Sequence, residues 1–338
     1  MKQYLLPNTG KFYKANMHVH TTVSDGGSTP EEVKAAYMEK GYSIVAFTDH
    51  EIMMPHPELA DENFLPITSV EIATNEYDRA WPFTRTYHLN LYSKDPNCSC
   101  YNVRDNNRIW PGKVREIETE EQKQVHFPRF YEKMQETVEA AMKAGFLVSY
   151  NHPVWSLQNY TDYIHLKGLW GVECYNTGCA RNGYIDTAQP LDDLLRAGER
   201  VFPLATDDSH GLKDRFGGWI MIKAESLAYD KVMQALEKGD FYASTGAEIQ
   251  ELYIDGNELH ISCAAAREVF VVTDHRTTCA KRAEWDGEPV TQAVFSLETW
   301  RKNHEQGNDG GQAYFRVVVI NDDGSFAYSR AYFMDELQ

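Results

Sequence analysis

Imidazole and carboxylate side chains stand at the ends of several short apolar segments of this chain. They occur in the stretches His18-Val19-His20 with Ser24-Asp25-Gly26, Thr48-Asp49-His50, Ser69-Val70-Glu71, Tyr87-His88-Leu89, Asn151-His152-Pro153, Gly171-Val172-Glu173 and Asp208-Ser209-His210. Neutral imidazole and carboxylate are good ligands for Zn²⁺, Fe²⁺ and Mn²⁺, and a carboxylate can bridge two ions. Their repeated placement at strand-like segments is typical of one polynuclear metal site.

Strand geometry lets pairs of these residues share an ion. Residues i and i+2 of a strand face the same side. His18 and His20 can therefore bind one ion, and Asp208 and His210 can bind one ion or two neighbouring ions. Parallel strands bring their carboxyl ends to one rim, where α/β enzymes place their chemistry. The elements that position these residues are thus expected to be parallel strands of one sheet or barrel.

Each motif also has an ordinary interpretation. Asp25 in Ser-Asp-Gly-Gly suits a turn, His88 alone is typical of a half-buried histidine, and Glu173 is compatible with a charge at a strand end. A lone H-x-H spacing is a weak signal for metal binding. The spacing of the whole set favours the metal site.

The same stretches resemble the PHP domain superfamily, named for polymerase and histidinol phosphatase. The resemblance covers residues 14–245, most of the chain. It implies an α/β fold, a distorted barrel of seven strands and helices, that holds two or three divalent metal ions (Mn, Fe or Zn). It also implies a metal-dependent phosphoesterase that hydrolyses a small phosphate monoester or diester.

Carried over position by position, the resemblance implies three ion sites. The first comprises His18, His20, Glu71 and Asp208. Glu71 would bridge to the second, which also comprises His88 and His152. The third comprises Asp25, His50 and His210. Two positions are ambiguous: many family members have histidine where Asp25 stands, and Asp207 lies beside Asp208, although the D-x-H spacing favours Asp208.

The implied mechanism needs no covalent enzyme intermediate. A hydroxide bridging the first two ions would attack phosphorus. Asp49 would orient a ligand imidazole without touching the ion itself. His210 or His50 would protonate the leaving oxygen.

Phosphate recognition usually also needs a cation with several donors. Arg181 and Arg215 are candidates because each follows a predicted rim ligand closely, with a surface salt bridge as the alternative. Trp155, Tyr175 and Asn176 also follow rim ligands and are candidates to line the pocket. An aromatic ring there could stack on a base, but packing at the rim explains it equally well.

Two other functions remain open at this stage. The same metal-bound hydroxide could attack an amide or another ester. Alternatively, the chain is a noncatalytic metal-binding assembly module whose C-terminal part does the work. Among phosphoesterases, a histidinol phosphatase, a nucleotide phosphatase and a small phosphodiesterase are all compatible with the motifs.

Composition limits the partners of the protein. Its 338 residues are 42% hydrophobic and 25% charged, as in ordinary globular proteins. The net charge of −17 argues against binding of extended nucleic acid. There is no apolar run of about 18 residues and no signal-peptide core at the start, so we expect a cytoplasmic protein without a membrane segment. The six cysteines are expected to be reduced thiols. The oligomeric state stays open.

Strand and helix signals alternate through the first part of the chain. A capping box of Thr29 and Glu32 begins a helix that Gly41 ends, and further helices are predicted at 129–144, 189–197 and 226–238. The alternation predicts a mainly parallel sheet or barrel over residues 1–247. It breaks at 93–128, which predicts an insertion whose final segment could place His126 and Arg129 at the pocket.

A different pattern follows from residue 248 to residue 338. Short strand signals and the hairpin signals Asp255-Gly256-Asn257 and Asp322-Asp323-Gly324 predict a small, antiparallel, β-sandwich-like domain made only of strands. His260, His275 and His304 lie there without ligand spacing, so we interpret them as structural or surface residues.

Overall fold

The computed structural model describes residues 2–108, 114–276, 279–307 and 313–337. Its strands are β1 (Lys2–Tyr4), β2 (Lys11–Val19), β3 (Tyr42–Phe47), β4 (Leu65–Asn75), β5 (Thr86–Tyr92), β6 (Leu147–Tyr150), β7 (Gly171–Asn176), β8 (Phe202–Thr206), β9 (Trp219–Ala224), β10 (Phe241–Ser244), β11 (Ile249–Asp255), β12 (Glu258–Ala266), β13 (Glu268–Thr273), β14 (Cys279–Arg282), β15 (Val290–Ser296), β16 (Tyr314–Ile320), β17 (Phe326–Ser329) and β18 (Tyr332–Phe333). Its α-helices are α1 (Pro30–Glu39), α2 (Val114–Ile117), α3 (Glu120–Gln124), α4 (Met134–Lys143), α5 (Tyr160–Tyr163), α6 (Thr177–Arg181), α7 (Gln189–Arg196), α8 (Tyr229–Lys238), α9 (Ala283–Asp286) and α10 (Glu298–Gln306). None of the described helices is long and apolar enough to cross a membrane.

Local signals fix where the helices begin and end. The Thr29 side chain accepts a hydrogen bond from the backbone N–H of Glu32, whose carboxylate accepts one from the Thr29 N–H, so the predicted capping box of α1 is confirmed. Gly145, Gly198 and Gly239 follow α4, α7 and α8 with positive φ, as predicted for helix ends. The helix predicted from residue 129 begins later, at Met134, after a 3₁₀ turn.

The large sheet is mixed, which corrects the expectation of mainly parallel strands. Its order is β14-β13-β16-β17-β10-β9-β2-β3-β4-β5-β6-β7-β8. The pairs β2-β3, β3-β4, β6-β7 and β7-β8 are parallel, whereas β5 is antiparallel to both β4 and β6. The link from β4 to β5 contains no described helix, and a parallel crossover needs a dozen residues or more. The chain therefore turns back directly, and β5 enters the sheet in the opposite direction.

The two faces of the central strands have different environments. Val70 and Ile72 of β4 pack in an apolar cluster with Val138 of α4 and Leu194 of α7. Side chains alternate along a strand, so Glu71, between the two apolar residues, points to the opposite face. The helices cover the face that carries Val70 and Ile72. The Glu71 carboxylate points to the other face of the sheet.

Backbone hydrogen bonds also join the two ends of the run from β2 to β8. Asp208 donates its N–H to the His18 carbonyl at 2.8 Å, and His20 donates to the Ser209 carbonyl at 3.0 Å. These bonds bring the residues after β8 against the end of β2. The mixed α/β class is confirmed, whereas the seven-stranded barrel and the β-sandwich form stay predictions.

The C-terminal part shares its sheets with the rest of the chain. Strand β1 pairs with β11 in a second sheet of order β1-β11-β12-β15, while β13, β14, β16 and β17 continue the large sheet through β10. The helices α9 and α10 correct the expectation of an all-β segment. Apart from the buried Trp300, α10 is polar, so its sequence lacks the repeated apolar residues that would predict a buried helix face. The predicted boundary between 247 and 248 stays a prediction.

The predicted insertion at 93–128 forms short helices and turns, and its residues 109–113 lie outside the described part of the chain. A second capping box, Thr119 with Gln122, begins α3. The buried Gln122 amide donates to the Met53 carbonyl at 3.0 Å, and the Tyr101 hydroxyl donates to the Glu51 carbonyl at 3.1 Å. These bonds attach the described part of the insertion to the segment after β3.

Candidate metal centre

Glu71 lies at the middle of the cluster of predicted ligands. Its side chain is buried on the inner face of β4. Its carboxylate oxygens lie 3.0–3.3 Å from one ring nitrogen of each of His18, His20, His50, His88 and His152. One carboxylate thus touches imidazoles from β2, from β5 and from the segments after β3 and β6.

The direction of β5 explains the position of His88. This residue is near the start of its strand, where it pairs with Ala73 of β4. Because β5 is antiparallel, its beginning lies at the rim where the parallel strands end. His88 therefore reaches the cluster from the amino end of a strand, in contrast to the predicted arrangement.

Asp208 lies against the same imidazoles as Glu71. Its Oδ1 is 3.1 Å from His20 Nε2 and 3.3 Å from His18 Nε2, and its Oδ2 is 3.7 Å from His152 Nε2. The positive φ of Asp208, +50°, turns the chain just after β8. The structure thus brings together the predicted first set of ligands, namely His18, His20, Glu71 and Asp208.

The predicted second set is divided differently in the structure. His88 Nδ1 and His152 Nε2 both lie against Glu71 Oε1, at 3.0 and 3.2 Å. His88 forms a compact donor group with His50 and Glu71, whereas His152 groups with His18 and Glu173. His50 thus lies between the second and third sets.

The predicted third set is the outermost group. Asp25 lies 3.5 Å from His210 Nε2, 3.8 Å from His20 Nδ1 and 3.9 Å from His50 Nε2. Asp25 and His210 keep 30% and 37% of their side chains exposed, in contrast to the buried inner ligands. This group faces the open side of the centre.

The donor atoms fit metal ions. Glu71 Oε2 and Asp208 Oδ1 are buried and accept no hydrogen bond within the described residues, although imidazole nitrogens surround them. His18 Nε2 and His20 Nε2 lie 3.2 Å apart. Two nitrogen ligands of one tetrahedral Zn²⁺ are roughly 3.3 Å apart. Buried carboxylate oxygens and imidazole nitrogens that converge in this way match the requirement of a cation site.

The pKa values of the groups in the cluster are shifted by burial and by the neighbouring charges. Burial alone lowers the pKa of His20, but the carboxylates of Asp208 and Glu71 outweigh it and raise the pKa to about 9. Burial raises the pKa of Glu71, but the surrounding imidazoles, led by His18, hold it well below its usual range. Burial and the neighbouring His20 hold the pKa of His50 well below its ordinary value. The centre therefore keeps ionised carboxylates in a buried place, as a cation site requires.

Glu173 is buried and accepts hydrogen bonds that orient residues of this centre. The sequence pattern left open whether Glu173 is a ligand or a charge at a strand end. Its Oε1 accepts hydrogen bonds from His18 Nδ1 at 2.8 Å and Thr206 Oγ1 at 2.7 Å. Its Oε2 accepts from the His152 N–H at 2.9 Å and Asn176 Nδ2 at 3.0 Å. With the proton on Nδ1, His18 presents the lone pair of Nε2 to the cluster. Carboxylates that orient ligand imidazoles in this way are common around metal sites.

Asn176 lies behind the centre and not where substrate would contact it, which corrects its predicted role. It is buried at the start of α6, and its Nδ2 donates to Asp208 Oδ2 at 3.2 Å as well as to Glu173. Both bonds fix carboxylates of the cluster. Asn176 is therefore a positioning residue.

Asp49 also differs from its predicted role. It accepts hydrogen bonds from the backbone N–H groups and hydroxyls of Thr21 and Ser24, at 2.8–3.1 Å. Among the described residues, no imidazole hydrogen-bonds to it. Its carboxylate therefore holds the loop that carries Asp25.

The ambiguity between the two adjacent aspartates has a structural answer. Asp207 points away from the cluster, where it accepts hydrogen bonds from Tyr37 Oη at 2.8 Å, Thr177 Oγ1 at 2.7 Å and backbone N–H groups of 216–218. Burial raises the pKa of Asp207. Asp207 thus fixes the loop after β8, and Asp208 faces the imidazoles.

The arginines suggested for phosphate binding lie outside the described lining of the cleft. Arg215 is buried, donates from Nε to Ser209 Oγ at 3.0 Å and packs over the Tyr37 ring. Arg181 is exposed, and its Nη2 reaches the Arg215 carbonyl at 3.5 Å. Both residues follow rim ligands closely along the chain, but neither side chain is part of the described lining of the cleft.

The two residues suggested at the end of the insertion also lie elsewhere. Arg129 is buried and forms an ion pair with Glu51, with a further bond to the Val103 carbonyl at 3.0 Å. His126 is exposed and lies 3.6 Å from Asp105. Neither is among the described residues that line the cleft.

An open cleft of about 530 Å³ leads to the cluster. Its described lining includes predicted ligands together with Trp81, Trp155, Asn182, Lys213 and Asp214. Lys213 and Asn182 carried no motif that could have identified them, and Trp81 lies in the link between β4 and β5. Cys179 also lines the cleft, but burial raises the pKa of its thiol, so it stays protonated and is a poor nucleophile.

A second group of possible ligands lies in the C-terminal segment. Asp274, His275 and His304 come together there, although their spacing along the chain gave no ligand signal. Both imidazoles lie within 3.2 Å of the Asp274 carboxylate, which also accepts from Trp300 Nε1 at 3.2 Å. These hydrogen bonds explain the group as a connection between the end of β13 and α10.

Comparison with known proteins found similar chains among solved structures. No family model and no curated protein matches the chain. Solved structures that resemble it include a two-domain protein containing a predicted PHP-like metal-dependent phosphoesterase from Bacteroides vulgatus, with 14% identity, a TM-score of 0.45 and 98% of each chain covered. Another is a candidate metal-dependent phosphoesterase from Bifidobacterium adolescentis, with 16% identity, a TM-score of 0.40, and 68% of this chain and 96% of that chain covered.

A third similar structure is an amidohydrolase from Chromobacterium violaceum with bound sulfate and no metal. It shows 16% identity and a TM-score of 0.36, and the match covers 58% of this chain and 87% of that chain. At these identities and TM-scores the likeness assigns no activity.

Proposed function

We propose that this protein is a metal-dependent hydrolase that cleaves a small phosphate monoester or diester. The observation that carries the proposal is the overlap of three donor groups through His20, His50 and Glu71 at the floor of an open cleft. Overlapping groups suit ions that lie close together, as in sites that hold both the attacking and the leaving oxygen of a displacement. Two or three divalent ions, of Mn, Fe or Zn, are proposed as the resident metals.

Bound metal would supply Lewis acidity and lower the pKa of coordinated water, so that a nucleophile exists near neutral pH. The residues of the chain prepare that chemistry. Glu173 holds the His18 proton on Nδ1, and Asn176 fixes Asp208. The inner donors are buried, whereas Asp25 and His210 border the cleft. When the outer group holds no ion, His210 is the side chain placed to protonate a leaving oxygen.

We also propose that β2 to β8 form the catalytic unit, as a distorted seven-stranded barrel within residues 1–247, and that 248–338 form a β-sandwich-like companion domain. The backbone bonds between the segments after β2 and β8 support the first part. The second sheet and the apolar cluster that it shares with β13 and β16 support the second.

The proposal is tested by elemental analysis of protein purified without chelator or histidine tag, followed by assays on phosphate esters. We expect two to three equivalents of metal and turnover of at least one monoester or diester. The variants His20→Ala and Glu71→Ala should lose metal and turnover together. His260→Ala is the matched control, since His260 stacks on Tyr253 in the second sheet, with 4.6 Å between ring centroids.

Three results would overturn the proposal. Protein that contains no metal and takes up none would remove its basis and favour an assembly module. Full activity in both ligand variants would place the reaction elsewhere. Turnover of an amide with no activity on any phosphate ester would keep the metal centre but replace the substrate class.

A further inference from the structure

One wall of the cleft is aromatic and begins at the metal centre itself. The Trp155 ring lies 5.3 Å from the rings of both His88 and His152, measured between centroids. The Trp81 ring lies 6.2 Å from that of Trp155, and both tryptophans line the cleft. A continuous aromatic path therefore runs from two candidate ligands out to the open part of the cleft.

The Trp81 side chain gains little from packing within the fold. It is 73% exposed, and the nearby Phe83 is 72% exposed. Burying an indole is among the larger apolar gains available to a folded chain. An indole left in solvent at the mouth of a cleft, beside a candidate catalytic centre, is typical of a surface that a ligand covers.

The charges of the cleft restrict what that ligand is. Its described lining includes four carboxylates, those of Asp25, Glu71, Asp208 and Asp214. The same lining includes one lysine, Lys213, and no arginine. Metal ions would offset the inner carboxylates, which leaves little positive charge further out. A chain of phosphates would find few donors there, whereas an uncharged ring would find the two indoles.

The size of the cleft leads to the same conclusion. Its volume of about 530 Å³ is within the range of about 300–1,000 Å³ that holds small organic ligands, and far exceeds what one phosphate group needs. A substrate that places its phosphate at the floor therefore has room for a ring-sized group in the outer part.

We propose that Trp81 and Trp155 form an aromatic subsite that binds a planar, uncharged ring carried by the alcohol part of the substrate. This inference rests on the proposed phosphoesterase function and specifies its substrate class: a monoester or diester of an aromatic or heteroaromatic alcohol, not a polyphosphate. Trp81 is the specificity-determining residue of the pair. Trp155 also contacts candidate ligand imidazoles, so its replacement would disturb the centre as well.

Binding of phosphonates tests the subsite without requiring turnover. Isothermal titration of metal-loaded protein with benzylphosphonate and with methylphosphonate gives a ratio of two dissociation constants. Stacking on an indole is worth enough that benzylphosphonate should bind about tenfold more tightly. Trp81→Ala should bring the ratio close to one, and Trp81→Phe should restore most of it. Trp285→Ala is the matched control, because Trp285 is 58% exposed but lies outside the described lining.

Equal affinities for the two phosphonates in the wild-type protein, or no binding of either, would overturn the subsite. So would an unchanged ratio in Trp81→Ala. Failure of the proposed function has a different signature: a strong, Trp81-dependent preference for benzylphosphonate with no hydrolysis of any phosphate ester. The first pattern rejects the aromatic subsite, and the second keeps the subsite but rejects the phosphoesterase.

Discussion

Replacing Glu173 with glutamine tests whether the cluster depends on the residues behind it. The change keeps the size of the side chain and removes its charge. In the native protein each carboxylate oxygen accepts two hydrogen bonds, from His18 and Thr206 on one side and from His152 and Asn176 on the other. A glutamine has one oxygen and one NH₂ group, so it can accept on only one of these sides.

Either orientation of the new amide has a cost. If its NH₂ faces the His152 N–H and Asn176 Nδ2, two pairs of donors oppose each other. Buried groups left without partners cost about 1–3 kcal/mol each, so the free energy of unfolding should fall by about 2–6 kcal/mol. If the NH₂ faces His18 instead, the ring must accept at Nδ1. The proton then moves to Nε2, the atom that points at the cluster.

The assay combines metal titration with thermal unfolding. Losing a residue that orients a ligand typically costs 10–100-fold in metal affinity or activity, and we expect about that loss of affinity for Mn²⁺ or Zn²⁺ in Glu173→Gln. Glu251→Gln is the control, since Glu251 is exposed on β11. Wild-type metal affinity together with a wild-type melting temperature in Glu173→Gln would refute the reasoning. The four hydrogen bonds would then contribute neither to metal binding nor to stability.

Three further outcomes follow from the geometry. Elemental analysis should show that Asp208→Asn loses metal, whereas Asp207→Asn keeps its metal content and loses stability; equal metal loss in both would contradict the assignment. Urea denaturation should show that Arg129→Met is less stable by about 3–5 kcal/mol, because it leaves the buried Glu51 carboxylate without its ion-pair partner, with activity per folded molecule unchanged. Burial raises the pKa of Asp186 from 3.8 to about 7, so the folded state holds this proton more tightly, and stability should fall as pH rises between these values. Asp186→Asn should lose this part of the pH dependence of the melting temperature, and an unchanged profile would show that the carboxyl is not protonated in the fold.

The sequence by itself determined the parts of this protein that depend on near neighbours. The capping box at Thr29 and the glycines after α4, α7 and α8 fixed the helix ends, because these signals act within one turn of the chain. The type and spacing of the histidines and carboxylates also identified a candidate cluster, since the two-residue period of a strand places His18 and His20 on one side.

The tertiary structure decided what depends on the direction of strands and on which distant segments meet. His88 reaches the cluster because β5 is antiparallel, a choice made by the short link after β4 and not by the residues around His88. Trp81 lies in that same link, and the fold brings it beside Trp155, which is distant along the chain.

The roles of the individual polar side chains were decided at the same level. Asp49 and Asn176 carry the residue types that the predicted roles required, yet the nearest donors and acceptors belong to loops whose positions no local pattern encodes. Glu173 gained its role because four donors converge on it, three of them from other segments of the chain. Residue type limits what a side chain can do, but the partner that it meets is set by the packing of the whole chain.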